Sequence, residues 1–288
     1  MPAASNRFPA SVVVAWPALL TPDRSLKCCG SLLLEPSKSG KTLIRVAATA
    51  PLLEIAVIVT GEPIATARAR FGGFSDLIRR AANAPNTRFV AFDAREALPD
   101  RRAFAATVVT GSASSVTERA PWMLATERWL ERAVADRSPV LGICFGHQLL
   151  GQALGGRVDK NPRGREIGTV RLERVAGDAL LDPLAEPLRV NMTHTDSIVE
   201  LPPGVTVIAQ SERDPNSAVR FGEWCWGVQF HPEIDREVMA DYVEGRSEAI
   251  EGEGLDLGRI RAELGEGAAG REVLRGFLAR VAAGGFER

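Results

Sequence analysis

The chain has 288 residues, a formal net charge of −1 at pH 7 and 45% hydrophobic residues. This length holds one large domain or two small ones, and the apolar content suffices for a core. The near-neutral charge gives no electrostatic support for binding nucleic acid or an anionic membrane, and no apolar run approaches the roughly 20 residues of a membrane span. We therefore expect neither a nucleic-acid partner nor a membrane.

The cysteine and histidine content indicates the redox compartment of the protein and argues against a metal site. The four cysteines are Cys28, Cys29, Cys144 and Cys225. They lack the C-x-x-C spacing of metal sites and do not form a disulfide framework, so we expect a reducing cytoplasmic setting. With three histidines in the whole chain, we expect no metal site and no cofactor.

Residues 1–50 differ in composition from the rest of the chain. They contain six basic and two acidic residues and three of the four lysines, whereas the later residues use arginine almost exclusively. The apolar stretch 11–20 contains Pro17 and lacks a clear cleavage site, which argues against a signal peptide. We predict a poorly ordered N-terminal extension over residues 1–50, or translation from a start codon set too far upstream, followed by a domain over residues 52–288.

Strands and helices alternate in the first half of this domain. Strands are predicted at 55–59, 89–92, 105–110 and 139–143, with helices at 74–82 and 121–135 between them. Alternation of this kind predicts an α/β fold: an open, mainly parallel sheet with helices on both faces. Later strands at 169–173, 188–192, 205–210, 218–221 and 224–230 complete a mixed sheet, and the C-terminal helices follow from about residue 245, at 257–264 and 271–282.

A strand-to-helix turn lies at the centre of the pattern. The segment Gly142-Ile143-Cys144-Phe145-Gly146 has the G-x-S-x-G form of a nucleophile elbow, with Cys144 in place of serine. The N-terminal end of the following helix favours a thiolate over a thiol. The alternative is a buried structural cysteine.

A second stretch, Trp224 to Glu233, supports the catalytic interpretation. Trp226, Val228 and Phe230 alternate with smaller or polar residues, so a strand is expected to carry His231. Side chains two residues apart face the same way, which places Glu233 beside His231. A thiol, an imidazole and an orienting carboxylate form a catalytic triad of Cys144, His231 and Glu233.

These residues carry a family resemblance. The segment GICFGHQ with the downstream QFHPE resembles the class I glutamine amidotransferases, which use a Cys-His-Glu triad. Residues 108–116 resemble the glycine turn of their oxyanion hole. Gly164-Arg165-Glu166-Ile167-Gly168 and residues 193–198 resemble segments of the glutaminase domain of GMP synthase. The resemblance covers roughly residues 53–245.

The resemblance implies hydrolysis of the glutamine side-chain amide through a γ-glutamyl thioester on Cys144. The amide of Phe145, just after the nucleophile, is one expected oxyanion donor, and Gly111 or Ser112 is expected to supply the other. Here the chain has Gly-Ser-Ala where the family has Gly-Gly-Pro. Gln148 matches a glutamine-contacting position of the family, and the alternative for it is a helix-surface residue.

His194 and Asp196 repeat the spacing of the proposed base and acid. We expect them at the rim of the active site or in the substrate pocket, because His194 is predicted to follow a strand and enter a Thr- and Asp-rich loop. The alternative is a loop held by local hydrogen bonds.

The sequence is compatible with three functions. The first is an amidotransferase that supplies ammonia to a separate synthetase, as the GMP synthase resemblance implies. The second is a stand-alone hydrolase of γ-glutamyl amides or peptides. The third is a non-catalytic regulatory module, against which the intact triad argues.

Overall fold

The structure is a computed structural model that describes residues 32–36, 42–46 and 52–284. The chain divides into two compact units, residues 1–50 and 51–288. In the first unit the strands β1 (Leu32–Pro36) and β2 (Thr42–Val46) pair antiparallel, with Leu32 opposite Val46. The predicted poor order of residues 1–50 concerns residues that mostly lie outside the described ones.

The second unit contains the other strands and all the helices that the structure describes. Its strands are β3 (Leu53–Val59), β4 (Thr87–Asp93), β5 (Ala106–Val109), β6 (Val140–Ile143), β7 (Arg157–Lys160), β8 (Glu166–Arg174), β9 (Leu188–His194), β10 (Asp196–Glu200), β11 (Thr206–Gln210), β12 (Ala218–Gly222) and β13 (Cys225–Val228). Its helices are α1 (Ala65–Phe71), α2 (Phe74–Ala82), α3 (Pro121–Ala135), α4 (Phe145–Ala153), α5 (Arg236–Glu244), α6 (Ser247–Gly252), α7 (Leu257–Glu263) and α8 (Ala268–Ala282).

A nine-stranded sheet organises this unit, in the order β4-β3-β5-β6-β13-β12-β11-β8-β9. The first five strands of that order are parallel, and the remaining four extend the sheet antiparallel. The predicted mixed, mainly parallel sheet is therefore confirmed. Because β6 and β13 are parallel neighbours, the residues that follow their carboxyl ends, Cys144 and Gln229, emerge side by side.

Helices cover both faces of the sheet. Val108 packs in the layer that contains α2 and α8, whereas Val109 packs in the layer that contains α3 and α4. This division follows from the alternation of side chains along a strand. Pro121 at the first position of α3 suits a helix start, since proline lacks the amide hydrogen that a first turn leaves unpaired.

Two predicted elements need correction near the site. The strand predicted at 224–230 ends at Val228, so His231 follows it in a loop. The strand predicted at 188–192 instead continues to His194. The segment expected as a loop after it contains β10, which pairs antiparallel with β7. Among the described residues, no helix is long and apolar enough to cross a membrane.

Candidate active site

Cys144 occupies the turn between β6 and α4. Its backbone has φ 49° and ψ −98°, in a region that residues other than glycine rarely adopt. The amide of Cys144 donates to the carbonyl of Val228 at 2.8 Å, and its carbonyl accepts from the amide of Gln148 at 3.0 Å. The nucleophile elbow predicted from the sequence is therefore formed, with Cys144 at the N-terminal end of a helix.

The two glycines of the motif leave room for this turn. A Cβ atom on Gly142 would lie 2.6 Å from the carbonyl oxygen of Gly146, and one on Gly146 would lie 2.5 Å from the carbonyl oxygen of Val109. Both distances are shorter than a carbon–oxygen contact allows. The close approach of strand and helix at the elbow therefore requires glycine at both positions.

His231 and Glu233 lie together in the loop between β13 and α5. Nδ1 of His231 is 2.7 Å from Oε1 of Glu233, and both side chains are buried. The amide of His231 donates to the carbonyl of Asn191 at 2.8 Å. The loop is therefore positioned by β9, the strand on which Asn191 lies, rather than by continuation of β13.

The surroundings of His231 favour its charged form. Burial alone would lower the pKa of His231, but the charges of Glu233 and Cys144 and the hydrogen bond to Glu233 raise it to about 10. The ring of Phe74 stacks on the imidazole with centroids 6.3 Å apart. Within the described residues, Nε2 of His231 is buried and has no hydrogen-bond partner, so this nitrogen is available to a reacting group.

Gln229 is a site residue that the sequence analysis missed. It is fully buried, and its Nε2 lies 3.4 Å from Sγ of Cys144. Its Oε1 accepts from Nε2 of Gln148 at 3.1 Å, which fixes the orientation of the amide. An amide N–H that donates to sulfur stabilises a thiolate. The residue could have been suspected only from its place in QFHPE, one residue after β13.

The loop after β5 holds Gly111 and Ser112. The carbonyl of Gly111 accepts from the hydroxyl of Thr60 at 2.9 Å. In a trans peptide the carbonyl and the next amide point in opposite directions, so the amide of Ser112 points away from Thr60. Ser112 lines the same cavity as Cys144. A Cβ on Gly111 would lie 2.9 Å from Cε1 of His231, which explains a glycine there.

His194 belongs to a second buried acid–histidine pair. Its Nε2 lies 3.2 Å from Oε2 of Glu166, and its Nδ1 lies 3.0 Å from the carbonyl oxygen of Asp196. Burial opposes the charged form, but the hydrogen bond to Glu166 and the charges of Asp214 and Glu166 raise the pKa of His194. Both ring nitrogens are thus occupied by protein groups.

Asp196 and Gln148 line the cavity with Cys144. Oδ1 of Asp196 lies 2.6 Å from Nζ of Lys160, and Oδ2 lies 2.5 Å from Oγ of Ser115. Although burial would raise it, these hydrogen bonds lower the pKa of Asp196. Nε2 of Gln148 donates to the carbonyl of Asp196 at 2.8 Å as well as to Gln229. Gln148 is buried, so it is not a surface residue.

The cavity over Cys144 is small, about 120 Å³. Its lining includes three cationic side chains whose importance the sequence did not indicate: Lys160, Arg165 and Arg246. Only Arg165 lies in a segment that the sequence analysis singled out. The cavity therefore combines a cysteine, the loop that holds Ser112 and charged groups of both signs.

The remaining histidine and cysteine of this unit lie in the packed interior. His147 is fully buried, and burial lowers its pKa to about 3, so it is neutral. Its ring lies 5.7 Å from that of Phe221. Burial raises the pKa of the Cys225 thiol, which leaves it unreactive. Among the described residues, no group of three or more His, Cys, Asp or Glu side chains is arranged to hold a metal ion.

The family model described as glutamine amidotransferase class-I matches residues 75–244, which is more than half of the chain. The chain therefore belongs to the class I glutamine amidotransferase family. Both the turn that carries Cys144 and the loop that carries His231 and Glu233 fall inside the matched region. The resemblance inferred from the sequence is confirmed at the level of the family.

Two curated relatives are glutamine-hydrolysing GMP synthases, in agreement with the family assignment. The chain is 39% identical over 145 residues to the GMP synthase of Thermosipho melanesiensis, covering 50% of this chain and 27% of that protein. It is 39% identical over 109 residues to a glutamine-hydrolysing GMP synthase subunit from Pyrococcus abyssi, covering 38% of this chain and 57% of that protein. The chain thus matches only part of the length of these relatives.

Solved structures share the fold. A glutamine amidotransferase from Thermotoga maritima superimposes with a TM-score of 0.64 at 23% identity, covering 80% of this chain and 98% of that one. A glutamine amidotransferase from Methylobacillus flagellatus gives a TM-score of 0.62 at 24% identity, covering 84% of this chain and 97% of that one. At these identities the likeness concerns the architecture alone.

Proposed function

We propose that this amidotransferase domain hydrolyses the side-chain amide of glutamine through a γ-glutamyl thioester on Cys144. The observation that carries the proposal is a buried His231 whose Nδ1 lies 2.7 Å from Oε1 of Glu233 and whose pKa is raised by the charges of Glu233 and of Cys144, which lies on a strained turn. The small cavity suits a single amino acid, since sites for drug-sized ligands usually measure about 300–1,000 Å³.

In this mechanism His231 moves the protons. Because the raised pKa of His231 favours its charged form, Nε2 already holds the proton of the Cys144 thiol, and the sulfur attacks the amide carbon of glutamine. When the carbon–nitrogen bond breaks, His231 returns that proton to the leaving nitrogen, and ammonia departs. His231 then removes a proton from water, and the water oxygen attacks the thioester carbon. The carbon–sulfur bond breaks, glutamate leaves, and the proton stays on His231 beside the sulfur of Cys144. Glu233 holds the imidazole in one orientation and stabilises its cation.

The tetrahedral intermediates carry an oxyanion that needs two N–H donors. We assign one to the amide of Phe145, which lies in the first turn of α4 where helix amides have no intrahelical partner. We assign the other to the Gly111–Ser112 loop, with Ser112 as the preferred donor because of the orientation set by Thr60. The substitution of Gly-Gly-Pro by Gly-Ser-Ala leaves a backbone amide at this position.

Gln148, His194 and Asp196 form part of the substrate pocket in this proposal. Asp196 presents a carboxylate to the cavity, and Gln148 fixes the backbone at Asp196 through its carbonyl. His194 contributes indirectly, because its ring is held between Glu166 and the carbonyl of Asp196. Its role is then to keep Asp196 in place rather than to exchange protons.

We further propose that the ammonia is consumed by a separate synthetase in the cytoplasm, in a reaction like that of GMP synthase. The support is the identity to GMP synthases, one of which is a single subunit of that enzyme. The test is a pull-down from native lysate, followed by ammonia-release assays with each captured partner and with Cys144→Ala as the control. Glutamine turnover stimulated by a partner supports this role. Fast turnover of γ-glutamyl amines without a partner would instead support a stand-alone hydrolase.

We also propose that residues 1–50 are dispensable for the fold of the domain over 52–288. The division of the chain between residues 50 and 51 supports this. A protein that begins at Pro51 should melt at the same temperature as the full chain and hydrolyse glutamine equally well. Insolubility of the shorter protein, or a clearly lower melting temperature, would show that the first unit contributes to folding.

A further inference from the structure

Arg246 is held at the wall of the cavity by two neighbours. It follows α5 and is half-buried, and it lines the same cavity as Cys144. Its Nη1 donates to Oγ1 of Thr193 at 2.8 Å. Its guanidinium lies over the ring of Tyr242, 4.8 Å from the centroid. These contacts fix the guanidinium while they leave its other N–H donors unassigned.

The three cations of the cavity differ in their pairing. Lys160 lies 2.6 Å from Asp196, and Arg165 makes hydrogen bonds of 2.9 and 2.8 Å to the two oxygens of Glu253. No carboxylate in the described part of the chain forms an ion pair with Arg246. Its own charged neighbours include Arg165, which repels it. A half-buried guanidinium without a counter-ion is costly, and a bound anion would offset that cost.

Asp196 supplies the opposite charge. Its carboxylate faces the same cavity, and its lowered pKa keeps it ionised near neutral pH. Lys160 and Thr195 donate to Oδ1 of Asp196 and Ser115 donates to Oδ2. A carboxylate offers about four acceptor positions, so Asp196 can still accept from an ammonium group. The cavity therefore presents a planar cationic donor and an anionic acceptor near one reactive cysteine.

We propose that Arg246 binds the α-carboxylate of the substrate in a two-point hydrogen bond and that Asp196 accepts from its α-ammonium group. The inference rests on the proposed function, because it assumes that the side-chain amide of the same molecule reaches Cys144. The ligand class is an α-amino acid, or a γ-glutamyl compound, with both head groups unmodified. A guanidinium matches a carboxylate in a planar, two-point geometry that an ammonium cannot reproduce.

Binding without catalysis gives the first test. L-Glutamine is titrated by calorimetry into Cys144→Ala and into the same protein with Arg246→Gln, Arg246→Lys or Arg236→Gln. Arg236 is an exposed arginine at the start of α5 and serves as the matched control. We expect Arg246→Gln to weaken binding by about 10- to 100-fold, as for loss of a charged hydrogen-bond partner, with Arg246→Lys intermediate and the control unchanged. Equal affinity in all four proteins would overturn the inference.

Substrate preference gives the second test, in which the wild-type protein is compared with Arg246→Gln. Hydrolysis of L-glutamine is compared with that of its α-carboxamide, in which the α-carboxylate is neutral. We expect the wild-type protein to prefer glutamine in kcat/KM and Arg246→Gln to lose most of that preference through a raised KM. Equal turnover of both compounds by the wild-type protein would contradict the inference.

The two tests separate this inference from the proposed function. If glutamine binds in an Arg246-dependent way but is never hydrolysed, the proposed reaction fails and the binding site stands. If glutamine is hydrolysed but Arg246→Gln changes neither affinity nor preference, the reaction stands and the binding site is wrong.

Discussion

Nδ1 of His231 lies 2.7 Å from Oε1 of Glu233, although neither residue is in a regular helix or strand. Both side chains are buried, so the contact is shielded from water and from salt. A carboxylate in such a position acts on a base in two ways. It fixes the tautomer, and it stabilises the imidazolium that forms when the thiol loses its proton.

Replacing Glu233 by Gln should therefore lower both the pKa of His231 and the rate of the reaction. The change preserves size but removes the charge that helps to raise this pKa to about 10. We expect kcat for glutamine to fall by about 10²- to 10⁴-fold. Imidazole resonances followed by NMR across pH would measure the shift. An unchanged His231 titration in Glu233→Gln would show that Glu233 does not orient the base.

The same pair makes stability depend on pH with a defined sign. The folded-state pKa of His231, about 10, exceeds its ordinary value of 6.5. The pair's contribution is therefore complete below pH 6.5 and is lost as the pH rises through 10. The difference in melting temperature between wild-type protein and Glu233→Gln should shrink from pH 6.5 to 10. A difference that grows over that range would contradict the assignment.

His231 and His194 should respond differently to the same substitution. Both ring nitrogens of His194 contact protein groups, whereas Nε2 of His231 has no partner in the described residues. His231→Gln should lower kcat by about 10²- to 10⁴-fold, and His194→Gln should retain kcat within about tenfold. His194→Gln should nevertheless melt at a lower temperature, since Glu166 loses a buried charged partner and such losses reach about 3–5 kcal/mol.

Two measurements on each variant test this prediction. They are kcat with glutamine and the rate at which Cys144 is alkylated near neutral pH. The partial rescue of stability by Glu166→Gln in the His194→Gln protein is the control, because it removes the unpaired charge. Loss of kcat and of thiol reactivity in His194→Gln, with both retained in His231→Gln, would exchange the roles of the two histidines.

Gln229 should raise the reactivity of the Cys144 sulfur. Its Nε2 donates toward Sγ of Cys144 at 3.4 Å, and its Oε1 accepts from Gln148. Gln229→Glu keeps the acceptor but replaces the donor with a negative oxygen. We expect alkylation of Cys144 at pH 7 to slow by about tenfold, as for loss of one hydrogen bond to a charged group.

The matched control is Gln152→Glu, which adds the same charge on the helix that follows Cys144 and keeps the acceptor oxygen that binds the amide of Val158. Alkylation rates measured over a range of pH separate a change in thiolate fraction from a change in access. Equal alkylation rates in wild-type protein and Gln229→Glu would show that Gln229 does not affect the reactivity of Cys144.

Gly111→Ala should impair catalysis while the fold remains intact. The added Cβ would lie 2.9 Å from Cε1 of His231, so the imidazole or the loop must move. Displacing a catalytic group by a fraction of an ångström to 1 Å costs up to about 10²-fold in rate. Gly252→Ala, where nothing lies within 4 Å, should be neutral. Circular dichroism and kcat measure both variants, and full activity in Gly111→Ala would contradict the close packing.

Local sequence patterns predicted much of the fold. The helices at Phe74–Ala82 and Pro121–Ala135 have the predicted bounds, because their apolar spacing and N-terminal residues specify them locally. The elbow at Cys144 was equally predictable, since it depends on two glycines and a short strand. The strand that precedes His231 was overextended because Phe230 is apolar and buried, yet tertiary packing rather than sheet pairing buries it.

The rest of the site depends on contacts between distant segments. Gln229 and Cys144 are 85 residues apart, and no spacing rule connects them. Arg246 lies in a polar stretch after α5 and reaches the cavity only because the chain returns toward Thr193. The strand Asp196–Glu200 begins in a Thr- and Asp-rich segment that is typical of a loop. This segment is a strand because it pairs with β7, which lies elsewhere in the sequence.

The most direct test of the central claim is detection of the covalent intermediate. L-Glutamine is mixed with wild-type protein, the reaction is stopped with acid within its first turnovers, and peptides are analysed by mass spectrometry. We predict a γ-glutamyl adduct on the peptide that contains Cys144, absent from Cys144→Ala and accumulating more slowly in His231→Gln. Two results would contradict the account. One is release of ammonia by the wild-type protein with no adduct on Cys144, and the other is undiminished release of ammonia by Cys144→Ala.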